Sequence, residues 1–254
     1  MRKSLALALI SAALVAALPA AAQILSPDDA AALFSQARDA FQKQDYKTAM
    51  EKLQPAAEAG NTEAEAMLAQ AYVTGNQGLP QDYAKALMWN EKAATSGSAR
   101  AYLNLAMMYR DGTGVAKDET KAMQDFTKAA DMGDMKAPRY LGLYAAQAGD
   151  FAKAFSFYQE GASRGDIKSQ FYLGRAYELG QGVGQDFAQA QTWYTKSAER
   201  GDHVASDGMV GLAGLYERGL GVTQDLDKAI ALFEQAAATG NEDAQKALQR
   251  LGMK

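Results

Sequence analysis

The chain has 254 residues, with 30 acidic and 26 basic side chains, one histidine and no cysteine. Its net charge of −4 at pH 7 gives no long-range attraction to nucleic acid or anionic lipid, so neither is an expected partner. The absence of cysteine excludes disulfides and the lipid-modified cysteine of a bacterial lipoprotein, so burial alone must stabilise the fold.

Residues 1–22 have the pattern of a secretory signal peptide. Arg2 and Lys3 precede an apolar run from Leu5 to Leu18, which is shorter than the ~20 residues needed to span a bilayer. Small residues follow, which predicts cleavage after Ala22, with a retained membrane anchor as the alternative. We therefore expect a periplasmic or secreted protein that does not insert into the membrane after signal cleavage. Losing Arg2 and Lys3 changes the net charge from −4 to −6.

One spacing recurs six times after the signal: an Asp, an Ala four positions later and a Gly fifteen positions later. The Asp is suited to cap a helix N-terminus, and the Gly to the left-handed residue after a helix. About 14 residues lie between them, which is four helical turns. The pattern predicts the second helix of six helix pairs. The sets are Asp45, Ala49, Gly60; Asp82, Ala86, Gly97; Asp118, Ala122, Gly133; Asp150, Ala154, Gly165; Asp186, Ala190, Gly201; and Asp225, Ala229, Gly240.

A first helix is predicted before the last five of these, from the order small residue, Leu, small residue, Tyr. The small residues let a neighbouring helix approach closely, while Leu and Tyr fill the remaining space. Three Gly-x-Gly-Val segments, at 112–115, 180–183 and 219–222, are predicted loops whose Val fills the gap between the helices. The first-helix sets are Ala64, Leu68, Ala69, Tyr72; Ala101, Leu105, Ala106, Tyr109; Ala137, Leu141, Gly142, Tyr144; Ser169, Leu173, Gly174, Tyr177; and Gly208, Leu212, Ala213, Tyr216.

A single helix pair cannot bury its apolar face, so successive pairs must stack. The sequence predicts an all-α fold, a right-handed superhelical α-solenoid of about six antiparallel helix pairs with a C-terminal capping helix. The predicted divisions are a signal peptide at 1–22, a tetratricopeptide-like pair at 23–60, five repeats at 61–97, 98–133, 134–165, 166–201 and 202–240, and the capping helix at 241–254.

These repeats resemble the Sel-one-like repeat family, which is related to the tetratricopeptide repeats. Residues 101–109, followed by Gly112–Val115, Asp118, Ala122 and Gly133, carry the resemblance, which covers about residues 61–240. It implies an adaptor that binds proteins and, for exported bacterial members, a role in envelope assembly, signalling or host contact. A cysteine-rich branch is linked to β-lactams and peptidoglycan fragments, but that link does not transfer to a chain without cysteine.

The sequence contains no motif that points to catalysis, so we do not expect an enzyme or a cofactor. His203 is the only histidine and lies in a polar stretch, where it is expected to be a solvated loop residue. One histidine and no cysteine argue against a zinc site, and neither a Ser-x-x-Lys acylation motif nor a phosphate-binding loop occurs. The recurring Asp residues have the register of helix caps, which a catalytic pair does not need.

The surface left for binding is the side of the first helices that points away from the packed stripe. Positions one before and two after each Leu point outward at 100° per residue. We expect the central ones to form a groove for a peptide or a partner helix, with partial burial against neighbouring repeats as the alternative. The candidate partner-binding residues are Met67, Gln70, Asn104, Met107, Tyr140, Tyr172 and Arg175.

Three functions fit this sequence. The leading hypothesis is an exported protein-interaction scaffold that binds a peptide or partner protein. The second is a receptor for peptidoglycan fragments or a cell-wall-directed hydrolase. The third is a structural spacer in an envelope assembly, which would make contacts at its end repeats. The sequence names neither the partner nor the oligomeric state.

Overall fold

The computed structural model describes residues 25–75 and 79–253, and within them it contains thirteen helices and no strand. The predicted signal peptide at 1–22 lies outside the described residues. The helices are α1 (Pro27–Gln42), α2 (Tyr46–Glu58), α3 (Thr62–Thr74), α4 (Tyr83–Thr95), α5 (Ala99–Asp111), α6 (Glu119–Asp131), α7 (Ala137–Gln147), α8 (Phe151–Ser163), α9 (Ile167–Leu179), α10 (Phe187–Ala198), α11 (Ser206–Arg218), α12 (Leu226–Ala238) and α13 (Glu242–Arg250).

The helices pack as consecutive pairs, from α1 with α2 to α11 with α12, and each pair also contacts the next one. The last helix, α13, packs against α12 and buries Ala244. This arrangement confirms the predicted all-α repeat array with a terminal helix. The right-handed superhelix stays a prediction.

All six recurring Asp residues cap their helices as predicted. Each carboxylate accepts a hydrogen bond from a backbone N–H in the first turn, such as Lys121 N to Asp118 Oδ1 at 2.9 Å. The six recurring glycines follow the helix ends with φ between 68° (Gly201) and 92° (Gly165), a region that side chains rarely adopt. The repeated Asp and Gly are therefore structural residues.

The first helix carries glycine directly after its Leu in the two pairs whose second helix packs a tyrosine ring against that position. A Cβ on Gly142 would lie 2.5 Å from Cε1 of Tyr158, and one on Gly174 would lie 2.8 Å from Cδ1 of Tyr194. Both tyrosines are buried eight residues after their capping Asp. Where the first helix carries Ala instead, as in Ala106, this position holds no tyrosine: it is Asn90, Phe126 or Phe233.

The Gly-x-Gly-Val segments pack onto the preceding repeat. A Cβ on Gly114 would overlap Tyr83, one on Gly182 would overlap the backbone of Phe151, and one on Gly221 would lie 2.6 Å from Cβ of Phe187. Each contacted residue is the first one of a second helix. Two of the three loop valines fill gaps between helices as predicted: Val115 packs against two core clusters, and Val222 packs against the cluster around Tyr194.

Candidate functional site

The first helices lie closer to each other than the second helices do. Among the substantial helix contacts in the described ranges, α3 meets α5, α7 meets α9 and α9 meets α11, while none joins two second helices. We call the side formed by α3, α5, α7, α9 and α11 the first-helix face.

Three cavities follow the first-helix face along the array. The smallest, about 70 Å³, is lined by Gln70, Asn104 and Met107. The next, about 340 Å³, is lined by Tyr172 and Arg175 and lies between α7, α8 and α9; we call it the central cavity. The largest, about 640 Å³, lies at the C-terminal end beside α11 and α13. Five of the seven candidate residues thus line cavities that first helices border.

The central cavity has aromatic walls and a cationic rim. The rings of Tyr158 and Tyr172 stack with their centroids 5.1 Å apart, and Phe155 and Leu143 complete the apolar lining. Burial raises the pKa of Tyr158 to about 12 and also raises the pKa of Tyr172, so both phenols remain neutral hydrogen-bond donors at pH 7. Arg175 is exposed and makes no ion pair with any described residue.

Tyr140 is half-buried and held in place. Its ring stacks on Phe126 at 4.7 Å, and the guanidinium carbons of Arg110 and Arg139 lie 5.0 Å and 4.7 Å from its centroid. Arg139 is itself buried, and its Nη1 donates to both carboxylate oxygens of Asp166, at 3.0 Å and 3.1 Å. Tyr140 therefore forms part of the packed boundary between the third and fourth pairs.

The expectation that Asn104 faces outward is wrong, because only 7% of the residue is exposed. Its amide donates to Oδ1 of Asn90 at 3.0 Å and to the carbonyl of Ala66 at 3.5 Å, where α3, α4 and α5 meet. A helical wheel describes one helix at a time, so it does not show that a neighbouring helix pair covers Asn104. Asn104 therefore joins two repeats and leaves only a small cavity above it.

The three remaining candidates are partly buried. Met67 and Met107 pack against the core clusters of the second and third pairs, and Gln70 borders the smallest cavity. Partial burial against neighbouring repeats, the alternative left open by the sequence, describes the two methionines. The structure thus brings Tyr172 and Arg175 together in one open cavity.

A polar network at the C-terminal cavity was not predicted from the sequence. Tyr194 donates to Oε2 of Glu178 at 2.6 Å, and Arg218 holds Oε1 of the same carboxylate at 2.6 Å. Burial raises the pKa of Tyr194 above its ordinary value. Arg250 pairs with Glu217 across the rim. The sequence does contain a pattern that could have predicted this network: only in the last two pairs does an acidic residue directly follow the first-helix tyrosine, at Glu178 and Glu217.

Several sequence expectations concern sites elsewhere in the chain. His203 is exposed between α10 and α11, as predicted for a solvated loop residue. Residues 25–75 and 79–253 contain no cluster of three or more His, Asp or Glu that could hold a metal ion. None of the helices in these ranges is long and apolar enough to cross a membrane.

Comparison with known proteins gives matches along most of the array. Segments 62–98, 99–134, 139–166, 167–202 and 206–241 match the Sel1 repeat. A Sel1 repeat protein from Oxalobacter formigenes is 30% identical, with a TM-score of 0.74 over 85% of this chain and 88% of that one. A protective antigen of uropathogenic Escherichia coli with this fold is 35% identical, with a TM-score of 0.67 over 88% of this chain and 50% of that one.

Two curated eukaryotic relatives match shorter parts of the chain. Chitin synthase regulatory factor 3 from Schizosaccharomyces pombe is 40% identical over 87 residues, which are 34% of this chain and 9% of the relative. Cytochrome c oxidase assembly factor 7A from Xenopus laevis is 38% identical over 72 residues, 28% of this chain and 31% of the relative. This chain therefore spans less than a third of the length of these curated relatives.

Proposed function

Because the chain belongs to the Sel1 repeat family, we propose that it is an exported scaffold whose first-helix face binds a peptide or a partner protein. Sel1 repeats are generally non-catalytic scaffolds and typically act as protein-interaction adaptors. The names of the two curated relatives describe a regulatory factor and an assembly factor, which fits a role exerted through other proteins.

The central cavity is the observation that carries this proposal. Binding energy at protein interfaces concentrates in aromatic residues and arginine that line pockets, and Tyr172 and Arg175 lie together in such a pocket. The Tyr158–Tyr172 stack fixes the apolar wall before binding, which lowers the entropy lost on association. Because Arg175 has no ion pair with a described residue, its guanidinium is free to pair with an acidic group of the partner.

Site-specific crosslinking tests the location of the contact. A photo-crosslinking residue is placed at Arg175 and, as a matched control, at Lys168, an exposed cation on α9 outside the cavity lining. We expect adducts in the native envelope from position 175 and few from position 168. Further probes on α1 and α13 test the alternative, and adducts formed only from those helices would contradict the groove and favour a structural spacer.

Charge reversal tests the chemistry of the same site. Arg175→Glu is expected to weaken capture of the crosslinked partner at least tenfold, whereas Lys168→Glu leaves it within about twofold. Tyr172→Phe keeps the stack on Tyr158 and removes only the hydroxyl, so a smaller effect is expected. Equal capture by all variants with unchanged helical content would refute a contact at the central cavity.

Export is supported by residues 1–22 and is tested separately. We expect the native protein in the periplasm or culture medium with Gln23 at its N-terminus. N-terminal sequencing of the purified native protein measures this. A chain that starts at Met1 in the cytoplasmic fraction would refute export without affecting the binding site.

A further inference from the structure

The fourth helix pair has a shorter connection than its neighbours. Seven residues separate the helices of the third, fifth and sixth pairs, at 112–118, 180–186 and 219–225. Only Ala148, Gly149 and Asp150 separate α7 from α8. The fourth pair therefore has no Gly-x-Gly-Val loop.

In the third, fifth and sixth pairs this loop covers the start of the preceding second helix. Its second glycine packs against Tyr83 at the start of α4, Phe151 at the start of α8 and Phe187 at the start of α10. In the same register, a loop of the fourth pair would cover the start of α6. The residue there is Glu119, whose side chain is 61% exposed. The three helix starts that a loop covers thus carry an aromatic residue, whereas the uncovered start of α6 carries a glutamate.

A cavity of about 410 Å³ lies where this loop would pack. It is lined by Glu119 and Met123 of α6, by Tyr144 of α7, and by Lys153 and Phe157 of α8; we call it the α6–α8 cavity. Met123 is 44% exposed and contributes an apolar side chain to the lining. This cavity opens between two second helices and shares only Gln147 with the lining of the central cavity.

Two hydrogen-bond donors in the α6–α8 cavity have no partner among the described residues. The Tyr144 hydroxyl is buried and makes no hydrogen bond, and the Lys153 ammonium makes neither a hydrogen bond nor an ion pair. In the sixth pair the equivalent groups satisfy each other, since Nζ of Lys228 donates to the Tyr216 hydroxyl at 2.8 Å.

The register explains why the fourth pair differs. Tyr144 comes three residues after Leu141, whereas Tyr216 comes four residues after Leu212. One residue turns a helical side chain by 100°, so Tyr144 is displaced from the lysine that would pair with it. A buried hydroxyl without a partner costs free energy, which an acceptor supplied by a ligand would recover.

We propose that the α6–α8 cavity binds a glycine-containing loop of a partner protein, in the place that the missing loop would occupy. The chain itself supplies such loops at three equivalent positions, and these loops define the chemistry of the occupant. The partner's loop carries glycine where it meets the start of α6 and an aliphatic side chain that covers Met123 and Phe157. Its carbonyl or carboxylate oxygens accept hydrogen bonds from Tyr144 and Lys153. This proposal is independent of the central cavity.

A peptide that copies the chain's own loop tests the proposal directly. A fluorescent peptide with the sequence of residues 179–186 is titrated with the full chain and followed by anisotropy. We expect saturable binding with a Kd of about 10–1000 μM, because a short flexible peptide loses much entropy when it becomes ordered. A peptide with Gly182→Val is expected not to bind, since the backbone at this glycine packs too closely for a side chain. An anisotropy that stays flat up to about 1 mM of the chain would overturn the proposal, since even a Kd of about 1 mM gives half-occupancy there.

Two protein variants separate this site from other binding. Tyr144→Phe combined with Lys153→Gln is expected to weaken peptide binding about tenfold by removing both donors. Replacing Ala148 and Gly149 by a copy of residues 180–185 restores a seven-residue connection, which is expected to fill the cavity in cis, abolish peptide binding and raise the unfolding midpoint. Unchanged peptide binding by either variant would refute the proposed site.

Disulfide trapping gives a readout that does not depend on high affinity. The chain has no cysteine, so Met123→Cys places one thiol in the cavity, and Met88→Cys places one on the neighbouring second helix α4. Both methionines are exposed, at 44% and 51%. A loop peptide whose cysteine is activated as a thiopyridyl disulfide is expected to react with Met123→Cys, releasing the pyridinethione, much faster than with Met88→Cys. Equal trapping rates would contradict a specific site at the α6–α8 cavity.

Discussion

Gly174→Ala tests whether the close approach of α9 and α10 depends on glycine. The added Cβ would lie 2.8 Å and 3.0 Å from Cδ1 and Cε1 of Tyr194 and 3.3 Å from the carbonyl oxygen of Ala190. Tyr194 is only 1% exposed, its hydroxyl is bound to Glu178, and Gly211 of α11 approaches the same ring. The ring therefore has little room to move away from the new methyl group.

The expected loss follows from two opposing contributions. Overpacking a close-packed core lowers the free energy of unfolding by about 1–3 kcal/mol, whereas replacing glycine by alanine inside a helix raises it by about 1 kcal/mol. Because the ring is confined between α9 and α11, we expect a net destabilisation of about 1–2 kcal/mol. In a chain of this size, each kcal/mol lowers the midpoint of thermal unfolding by about 2–4 °C.

A double-mutant cycle with Tyr194→Leu measures this coupling. With the ring edge removed, Gly174→Ala should no longer overpack the core and should stabilise the Tyr194→Leu background by its helical preference alone. Thermal and urea unfolding followed by circular dichroism measure all four chains. Gly184→Ala is the control, since nothing lies within 4 Å of a Cβ at that position. If Gly174→Ala stabilised both backgrounds equally, the proposed Gly–Tyr pairing would be wrong.

Three further changes test the polar groups of the array by the same unfolding measurements. Burial raises the pKa of Asp125, so the folded state holds this proton to higher pH than the unfolded state, and stability falls as pH rises above the ordinary value of 3.8. Asp125→Asn is therefore expected to raise the unfolding midpoint at pH 7, to leave it nearly unchanged below pH 3.8, and to flatten the pH profile; a lowered midpoint at pH 7 would contradict this. Arg139→Leu leaves the buried carboxylate of Asp166 without its cation and is expected to cost about 3–5 kcal/mol, and a cost below about 1 kcal/mol would show that water replaces the arginine. Asp186→Ala removes the acceptor for the backbone N–H groups of Ala188 and Gln189 and is expected to cost about 1 kcal/mol, with recovery in Asp186→Asn as the check.

The repeat made most of the fold predictable. One Asp–Ala–Gly spacing occurs six times, and each occurrence predicts a helix that an Asp caps and a Gly ends. The helix starts, the helix ends and the pairing could therefore be predicted from capping and periodicity. The Gly–Tyr pairing was also readable, since Gly142 and Gly174 are the only glycines at the position directly after the first-helix Leu, and their pairs are those that carry Tyr158 and Tyr194.

Contacts between pairs were harder to predict than contacts within them. Arg139 and Asp166 are 27 residues apart, and no spacing rule joins an arginine in one pair to the cap of the next. The burial of Asn104 has the same origin, because its partner Asn90 belongs to the preceding pair. Such side chains depend on how two pairs dock, and a single-helix pattern does not contain that information.

The departures of the fourth pair carry more information about function than the features all pairs share. A residue repeated in register has a role that every pair needs, such as capping a helix or closing a turn, and this role accounts for it completely. The fourth pair is the shortest, with 32 residues from Gly133 to Gly165, where the neighbouring glycines are 36 residues apart. The third, fifth and sixth pairs have the loop that it lacks, and the third and sixth pairs have the Tyr–Lys hydrogen bond that Tyr144 and Lys153 do not make. All three lie at one cavity, and a binding partner is the simplest single agent that would satisfy them together.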